Sequence, residues 1–471
     1  MSLEPPEDLD IIIVGATGDL ARRKLLPALY NLFLRDLLPP QGKIIGYARS
    51  QRSDDEFRAA AAAAVREFSR TGFDETAWES FAERLTYVCA EPDGLAEVER
   101  RSAQPTRLVY LATPPSSFAA TVRALGQHGL AKGTRLIIEK PFGRDLSSAR
   151  ALDATLHEVF EESQIFRIDH YLGKETVQNI LVFRFGNSLF ERVWNRDAID
   201  HIEITVAESI GIEGRGAFYE EAGALRDIIQ NHVFQVLSLL TMEPPTSFRP
   251  EAIRDEKVKL FESMQPLDPA NVVRGQYARG RVDGEEVPGY LEEEGVSPDS
   301  STATFVALRL FIDNWRWSGV PVFLRTGKRL PRRATEVIIA FREVPIRFFE
   351  GTGVGELRPN HLTISIQPDE EITFAFLAKV PGPEIKVKPV HMSFSFGESF
   401  MAQPAEAYER LLHDAMDGDH TLFARGDGVE RAWTVVQPVL DAMPPPSSYT
   451  AGTWGPPAAD ALIAPRQWHL R

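Results

Sequence analysis

Ile11-Ile12-Ile13-Val14-Gly15-Ala16-Thr17-Gly18-Asp19-Leu20-Ala21 is the stretch on which the reading of this chain turns. Four β-branched residues in a row favour a strand buried on both faces, the habit of parallel sheets. The glycines follow at once, and a helical pattern over Leu20–Leu34 follows them. Glycine lets a backbone turn tightly and approach a pyrophosphate, whose charge then meets unpaired N–H groups and the positive end of a helix dipole. Gly15, Ala16, Thr17, Gly18, Asp19 and Leu20 are therefore candidate dinucleotide-binding residues. The spacing is Gly-x-x-Gly-x-x-Ala rather than Gly-x-Gly-x-x-Gly, so a plain strand-to-helix turn stands as the alternative.

Outward from this loop, Lys43–Tyr47, Arg107–Leu111 and Arg135–Ile138 read as further strands. Helical patterns over Asp54–Phe68 and Pro115–Leu125 alternate with them. Such a series predicts a Rossmann-like, doubly wound parallel sheet with ligands at the carboxyl ends of its strands. NAD enzymes commonly place an acidic residue at the end of the second strand. Here Arg49 and Ser50 stand instead. A guanidinium fork suits a 2′-phosphate, which favours NADP and leaves NAD as a second acceptor open.

The first domain is expected over residues 1–164 and a second, of the α+β class, over 165–471. In the second, a long apolar helix spans Gly223–Leu240, and alternating segments Phe305–Asp313, Glu336–Phe341, His361–Gln367 and Glu371–Lys379 predict a large, mostly antiparallel sheet. Helices are expected over Gln403–Met416 and Gly428–Met443, an irregular tail over Pro444–Pro457 and an exposed acidic loop over Gly284–Asp299.

Composition narrows the function classes. The chain has 471 residues, 43% hydrophobic and 25% charged, enough for packed cores in two domains. A net charge of −15 disfavours nucleic acid and anionic membranes as partners, so any small anion must meet a local basic cluster. One cysteine, Cys89, forms no internal disulfide, and no apolar run has the length of a membrane helix. A cytoplasmic location is expected, and no metal-binding pattern stands out.

Two groups of residues carry chemistry. At the end of the last N-terminal strand stands Glu139-Lys140-Pro141-Phe142-Gly143, where a lysine beside a candidate cis X-Pro bond would face a ligand cleft. By itself it also reads as an ordinary exposed turn. Further on, Arg167-Ile168-Asp169-His170-Tyr171-Leu172-Gly173-Lys174 brings an acceptor, an imidazole, a phenol and a cation close together, equipment for gripping a phosphate and steering a proton. A solvated helix N-terminus is the bland alternative. His232, on the apolar helix with Arg226-Asp227 and Gln230-Asn231, reads in isolation as a satisfied core histidine.

Taken together these residues resemble the glucose-6-phosphate dehydrogenase family over about Ile11–Met443. The Arg167–Lys174 run, the GxxGDLA loop, Gly46–Ser50, Tyr110–Pro115, Glu139–Asp145, Trp194–Asp197, Glu213–Gly216, Arg226-Asp227, Gln230–His232 and Arg325-x-Gly327-Lys328 all match. The resemblance implies His232 as general base and Asp169 as the carboxylate that orients it. It implies His170, Tyr171 and Lys174 as the grip on the sugar phosphate, with Lys140, Glu208, Asp227, Lys328 and Arg333 as further substrate contacts. Tyr110 and Lys140 would border the cofactor. The implied reaction is oxidation of glucose 6-phosphate at C1 with NADP, in a homodimer or homotetramer.

Some positions depart from the family pattern. Ala334 follows Arg333 where a lysine would stand, and Ala375 and Ala378 occupy the strand near Lys379, which argues against a second, structural NADP site. Thr17 replaces serine in the cradle. Two rival functions stand beside the first. The chain also resembles the glucose–fructose oxidoreductase type in having a Rossmann domain followed by Glu-Lys-Pro, but that type lacks the Arg167–Lys174 run. The second rival is a non-catalytic regulatory homologue, against which the joint retention of Asp169, His170, Lys174 and His232 argues.

Overall fold

Apolar β-branched runs pair where both of their faces can be covered, and the N-terminal segments do so. In the computed structural model, residues 4–91, 94–349, 351–353, 358–400 and 406–469 are described. Six strands, β1 (Asp10–Val14), β2 (Ile44–Ala48), β3 (Leu85–Cys89), β4 (Arg107–Leu111), β5 (Thr134–Glu139) and β6 (Ile165–Ile168), form one parallel sheet in the order 3-2-1-4-5-6. Every residue of β1 is buried. The order reverses between β1 and β4, and such a switch point is where a doubly wound sheet takes a ligand. Between β2 and β3 the helix Asp54–Phe68 starts on a capping box, Ser53 accepting from the Glu56 amide while Glu56 accepts from the Ser53 amide.

The chain divides into two compact units. The first consists of Met1–Lys174, Pro245–Asp255 and Ala405–Glu430. The two later segments join the parallel sheet's unit from far along the chain, and the short strand Phe423–Ala424 pairs antiparallel with the outer edge of β6. The helix expected over Gln403–Met416 is Ala407–Asp417; residues 403–405 lie outside the described residues.

The second unit is built on nine strands, in spatial order Val387–Ser395, Glu371–Lys379, His361–Gln367, Ala334–Phe341, Ile199–Ala207, Val322–Gly327, Phe305–Leu310, Val272–Ala278 and Ser447–Thr450. Two pairings are parallel, Ile199–Ala207 with Val322–Gly327 and Val272–Ala278 with Ser447–Thr450; the rest are antiparallel. A large, mostly antiparallel sheet was the expectation for this region, and that is its class.

Three local expectations are corrected. The tail Pro444–Pro457 is not wholly irregular, because Ser447–Thr450 finds an open sheet edge on Val272–Ala278. Gly284–Asp299 is not simply exposed: Glu285–Val287 pairs with Gly280–Val282, and Tyr290 is fully buried against Tyr219 and Tyr277. The long helix does not begin at Gly223. That residue has φ +60°, which interrupts the helical backbone, and the new helix opens after it with the wide π geometry over Leu225–Val233 before continuing as α-helix over Phe234–Thr241.

That helix is held firmly at its far end. A helix leaves its last carbonyls without intrahelical donors. Here Arg184 Nη1 donates to Leu239 O at 2.9 Å, Trp194 Nε1 to Leu240 O at 2.7 Å and Trp317 Nε1 to Thr241 O at 2.7 Å. All three donors are fully buried. Among the described residues, no helix is long and apolar enough to cross a membrane.

Candidate active site

At the switch point of the parallel sheet the chain turns so closely that side chains are excluded. Gly15 has φ +90°, and a Cβ there would fall 2.7 Å from Ala112 O. A Cβ on Gly18 would lie 3.1 Å from Gly15 O. The Gly15 amide donates to Tyr47 O at 2.7 Å and Arg22 donates to Gly18 O at 3.1 Å, so the amides of Asp19, Leu20 and Ala21 precede the first intrahelical bond. Free amides at a helix start are anion-binding groups. Thr17 Oγ1 lies 3.2 Å from Ser50 Oγ, which joins the cradle to the end of β2. Arg49 is exposed there, and the Tyr87 hydroxyl ties down the loop by donating to Ala48 O and Ser50 O.

A cleft of about 500 Å³ opens beside the cradle, lined by Gly18, Asp19, Leu20, Leu111 to Pro114, Glu139, Lys140, His170 and Tyr408. Each segment arrives at the carboxyl end of a different strand, β1, β4, β5 or β6, except the one bearing Tyr408, which belongs to the returning helix Ala407–Asp417. The Lys140–Pro141 bond is cis. Glu139 accepts hydrogen bonds from Tyr110 at 2.6 Å and from Tyr408 at 3.1 Å. Burial pushes the Glu139 carboxyl above its ordinary value, and burial likewise raises both phenols. Tyr110, fully buried, reaches the cleft only through Glu139.

β6 and the run that follows it are tied down by specific contacts. Buried Arg167 bonds Asp153 at 2.6 Å and Glu162 at 2.7 Å. Asp169, also buried, accepts from the Tyr171 amide at 3.0 Å, while its carbonyl accepts from Leu172 at 3.0 Å. The Lys174 ammonium sits 4.2 Å from the centroid of the Tyr171 ring. His170 meets the Tyr171 ring edge-on at 5.2 Å and lies parallel to the Tyr408 ring at 6.4 Å. Gly173 is required because a Cβ would press on Ala407 O at 2.8 Å.

In the second unit, Glu208 and Lys328 form a 2.8 Å ion pair, with Lys328 almost wholly buried. Two adjacent strand ends bring them together: Glu208 N donates to Gly327 O and Leu330 N to Glu208 O, each at 3.0 Å. Lys328 also stands over the Tyr219 ring at 5.2 Å, and its carbonyl accepts from the Tyr449 hydroxyl at 2.6 Å. Burial raises the Tyr219 phenol well above its ordinary value, and the neighbouring charges of Asp227 and Glu208 add to the rise. Glu208, Asp227 and Lys328 thus gather around Tyr219. His232 is buried in the π-helical segment, with Asn231 tied back to Arg226 O at 3.1 Å. Arg333 is exposed and donates to Gln367 Oε1 at 3.0 Å.

Two contributors escaped the sequence reading. Tyr408 lies more than two hundred residues after the motifs it touches, and only its return to the first unit reveals it. Glu139 was visible inside Glu-Lys-Pro, but its pairing with two tyrosines was not.

Comparison with known proteins gives the family. The family model for the glucose-6-phosphate dehydrogenase NAD binding domain matches residues 12–179, and that for the glucose-6-phosphate dehydrogenase C-terminal domain matches residues 181–470. The chain belongs to the glucose-6-phosphate dehydrogenase family. A glucose-6-phosphate 1-dehydrogenase of Aggregatibacter actinomycetemcomitans is 46% identical over 97% of this chain and 96% of its own length. A crystal structure of glucose-6-phosphate 1-dehydrogenase from Mycobacterium avium aligns with TM-score 0.86 at 40% identity, covering 99% of each chain. A glucose-6-phosphate dehydrogenase solved in complex with its substrate glucose-6-phosphate aligns with TM-score 0.91 at 37% identity over the full length of both. Two polar regions are thus on hand in the described residues, the cleft at the switch point of the parallel sheet and the half-buried charged group around Tyr219.

Proposed function

We propose that the chain oxidises D-glucose 6-phosphate at C1 to 6-phospho-D-glucono-1,5-lactone with NADP as acceptor, the first oxidative step of the pentose phosphate pathway. The observation that carries this reading is that both family models match, covering 12–179 and 181–470. The residues present fit the dinucleotide, since the space a Cβ at Gly15 would need is closed, the amides of Asp19 to Ala21 precede the bond from Arg22 to Gly18 O and Arg49 is exposed beside Ser50. When bound, NADP supplies the hydride-accepting carbon of its nicotinamide ring.

The chain's own residues supply position and proton transfer. A hydride leaves C1 only as the C1 hydroxyl loses its proton, and His232 is assigned to take it; Asp169 is assigned to fix the tautomer of that base and to stabilise the imidazolium. His170, Tyr171 and Lys174 are assigned to the sugar phosphate, and Lys140, Glu208, Asp227, Lys328 and Arg333 to the remaining substrate contacts. The division of labour we propose is nucleotide binding by the N-terminal part and substrate binding and self-association, as a homodimer or homotetramer, by the C-terminal part. The setting is the cytoplasm.

Feeding glucose 6-phosphate and glucose separately with NADP, and following the appearance of reduced nicotinamide, tests the reading. Turnover should be far faster with the phosphorylated sugar; faster turnover of bare glucose would move the chain to the glucose–fructose oxidoreductase type. For the acceptor, Arg49→Ala should lower kcat/KM for NADP by about 10-fold or more, the worth of a charge-assisted contact, with little change for NAD. Equal losses with both acceptors would show that Arg49 reads no 2′-phosphate.

A further inference from the structure

We propose that the C-terminal sheet of this chain holds a divalent transition-metal cation between His201 Nε2, Glu203 Oε1 and His469 Nδ1, as a structural site separate from the oxidation chemistry. His201 and Glu203 alternate on the strand Ile199–Ala207 and so share one face of it. His469 is brought over that face from the C-terminal segment, which is anchored by buried Trp468, whose Nε1 donates to Ala459 O at 3.1 Å.

The three ligand atoms lie within 4.8 Å of one another. His201 Nε2 is 3.0 Å from Glu203 Oε1, and His469 Nδ1 is 2.5 Å from the same oxygen. Ligands of a tetrahedral zinc stand about 2.0–2.2 Å from the ion. Modest spreading of these side chains would admit an ion, with the N–H···O contacts to Glu203 replaced by bonds to the metal and the protons on His201 Nε2 and His469 Nδ1 released to solvent.

The surroundings of His201 fit a ligand set. A metal-bound imidazole usually donates its other N–H to a carboxylate that fixes its orientation. Here the second ring nitrogen of His201 is 2.8 Å from Asp200 Oδ2, and Asp200 is itself gripped by Arg466 at 2.6 and 3.1 Å. Side-chain exposures of 1% for Glu203, 5% for His201 and 15% for His469 make the site dry, with entry from the His469 side. Two imidazoles and one carboxylate suit Zn²⁺, Co²⁺ or Ni²⁺; Mg²⁺ and Ca²⁺ demand oxygen ligands. The consequence would be a C-terminal segment pinned to the central strand of its own sheet.

The test uses the full chain, stripped with chelator, incubated with Zn²⁺ or Co²⁺ and passed through gel filtration. About one equivalent of zinc per chain should be retained, and Co²⁺ should give the visible absorption of a tetrahedral centre. His469→Ala and the isosteric Glu203→Gln should abolish retention, and Asp200→Asn should weaken it by roughly 10–100-fold, as an outer carboxylate does. A parent chain that retains no metal, or variants that hold as much as the parent, would overturn the proposal.

Discussion

With asparagine in place of His232, kcat for glucose 6-phosphate oxidation should fall by about 10²–10⁴-fold, the usual contribution of a positioned general base, while the dissociation constant of the sugar phosphate changes little. The expectation rests on where the side chain sits. His232 is buried on a helical segment whose far end is clamped by Arg184, Trp194 and Trp317, so the substitution need not shift the backbone. Asparagine keeps polarity and hydrogen-bonding capacity but cannot accept a proton near neutral pH. Steady-state kinetics with calorimetric binding would separate the two effects, and a melting curve would show that the variant is folded. A kcat equal to that of the parent would remove the assignment of the base. The same substitution speaks to the regulatory reading, since a non-catalytic homologue would have no turnover to lose.

The second large effect concerns KM. His170→Asn and Lys174→Ala should each raise KM for glucose 6-phosphate by roughly 10–100-fold, because a hydrogen bond to a charged group is worth about 1.5–3 kcal/mol. Chemistry at C1 is remote from the phosphate, so kcat should fall much less. Lys174 is placed over the Tyr171 ring and His170 beside the Tyr408 ring, both in a segment braced by Arg167, so neither change removes a central packing element. A control sharpens the comparison: with bare glucose, which offers no phosphate, the variants should match the parent. Unchanged KM in both, or equal losses with both sugars, would mean that these side chains do not grip the phosphate.

The parallel sheet could be read from the chain because β1, β2, β4 and β5 are apolar runs separated by helical patterns, and a strand covered on both faces has no other composition. β3 escaped because Leu85–Cys89 is an edge strand whose Thr86 and half-buried Cys89 break the apolar run, and β6 because its four residues merge into the motif that follows. The strand Ile199–Ala207 was hidden for another reason. Its His201, Glu203 and Thr205 look like a solvent face by alternation, yet all three are buried. His469 and Asp200 satisfy the first two, and Arg325 Nε donates to the Thr205 hydroxyl at 3.0 Å. No periodicity in the sequence foretells distant partners such as His469 and Arg325. The lining of the cleft divides in the same way: Lys140 and His170 stand in motifs written in consecutive letters, whereas Tyr408 has no local mark.

The return of residues 405–430 to the first unit has a practical consequence for dissection and for descent. A gene fragment stopped after Lys174 would leave one margin of the parallel sheet without Phe423–Ala424, an open backbone edge of the kind that promotes aggregation. It would also deprive Glu139 of the Tyr408 hydroxyl and Gly173 of the neighbour that makes glycine necessary there. The coenzyme half is therefore not a detachable cassette. Its coding sequence is interrupted by that of the other half, so recombination after the codon for Lys174 would yield two incomplete products.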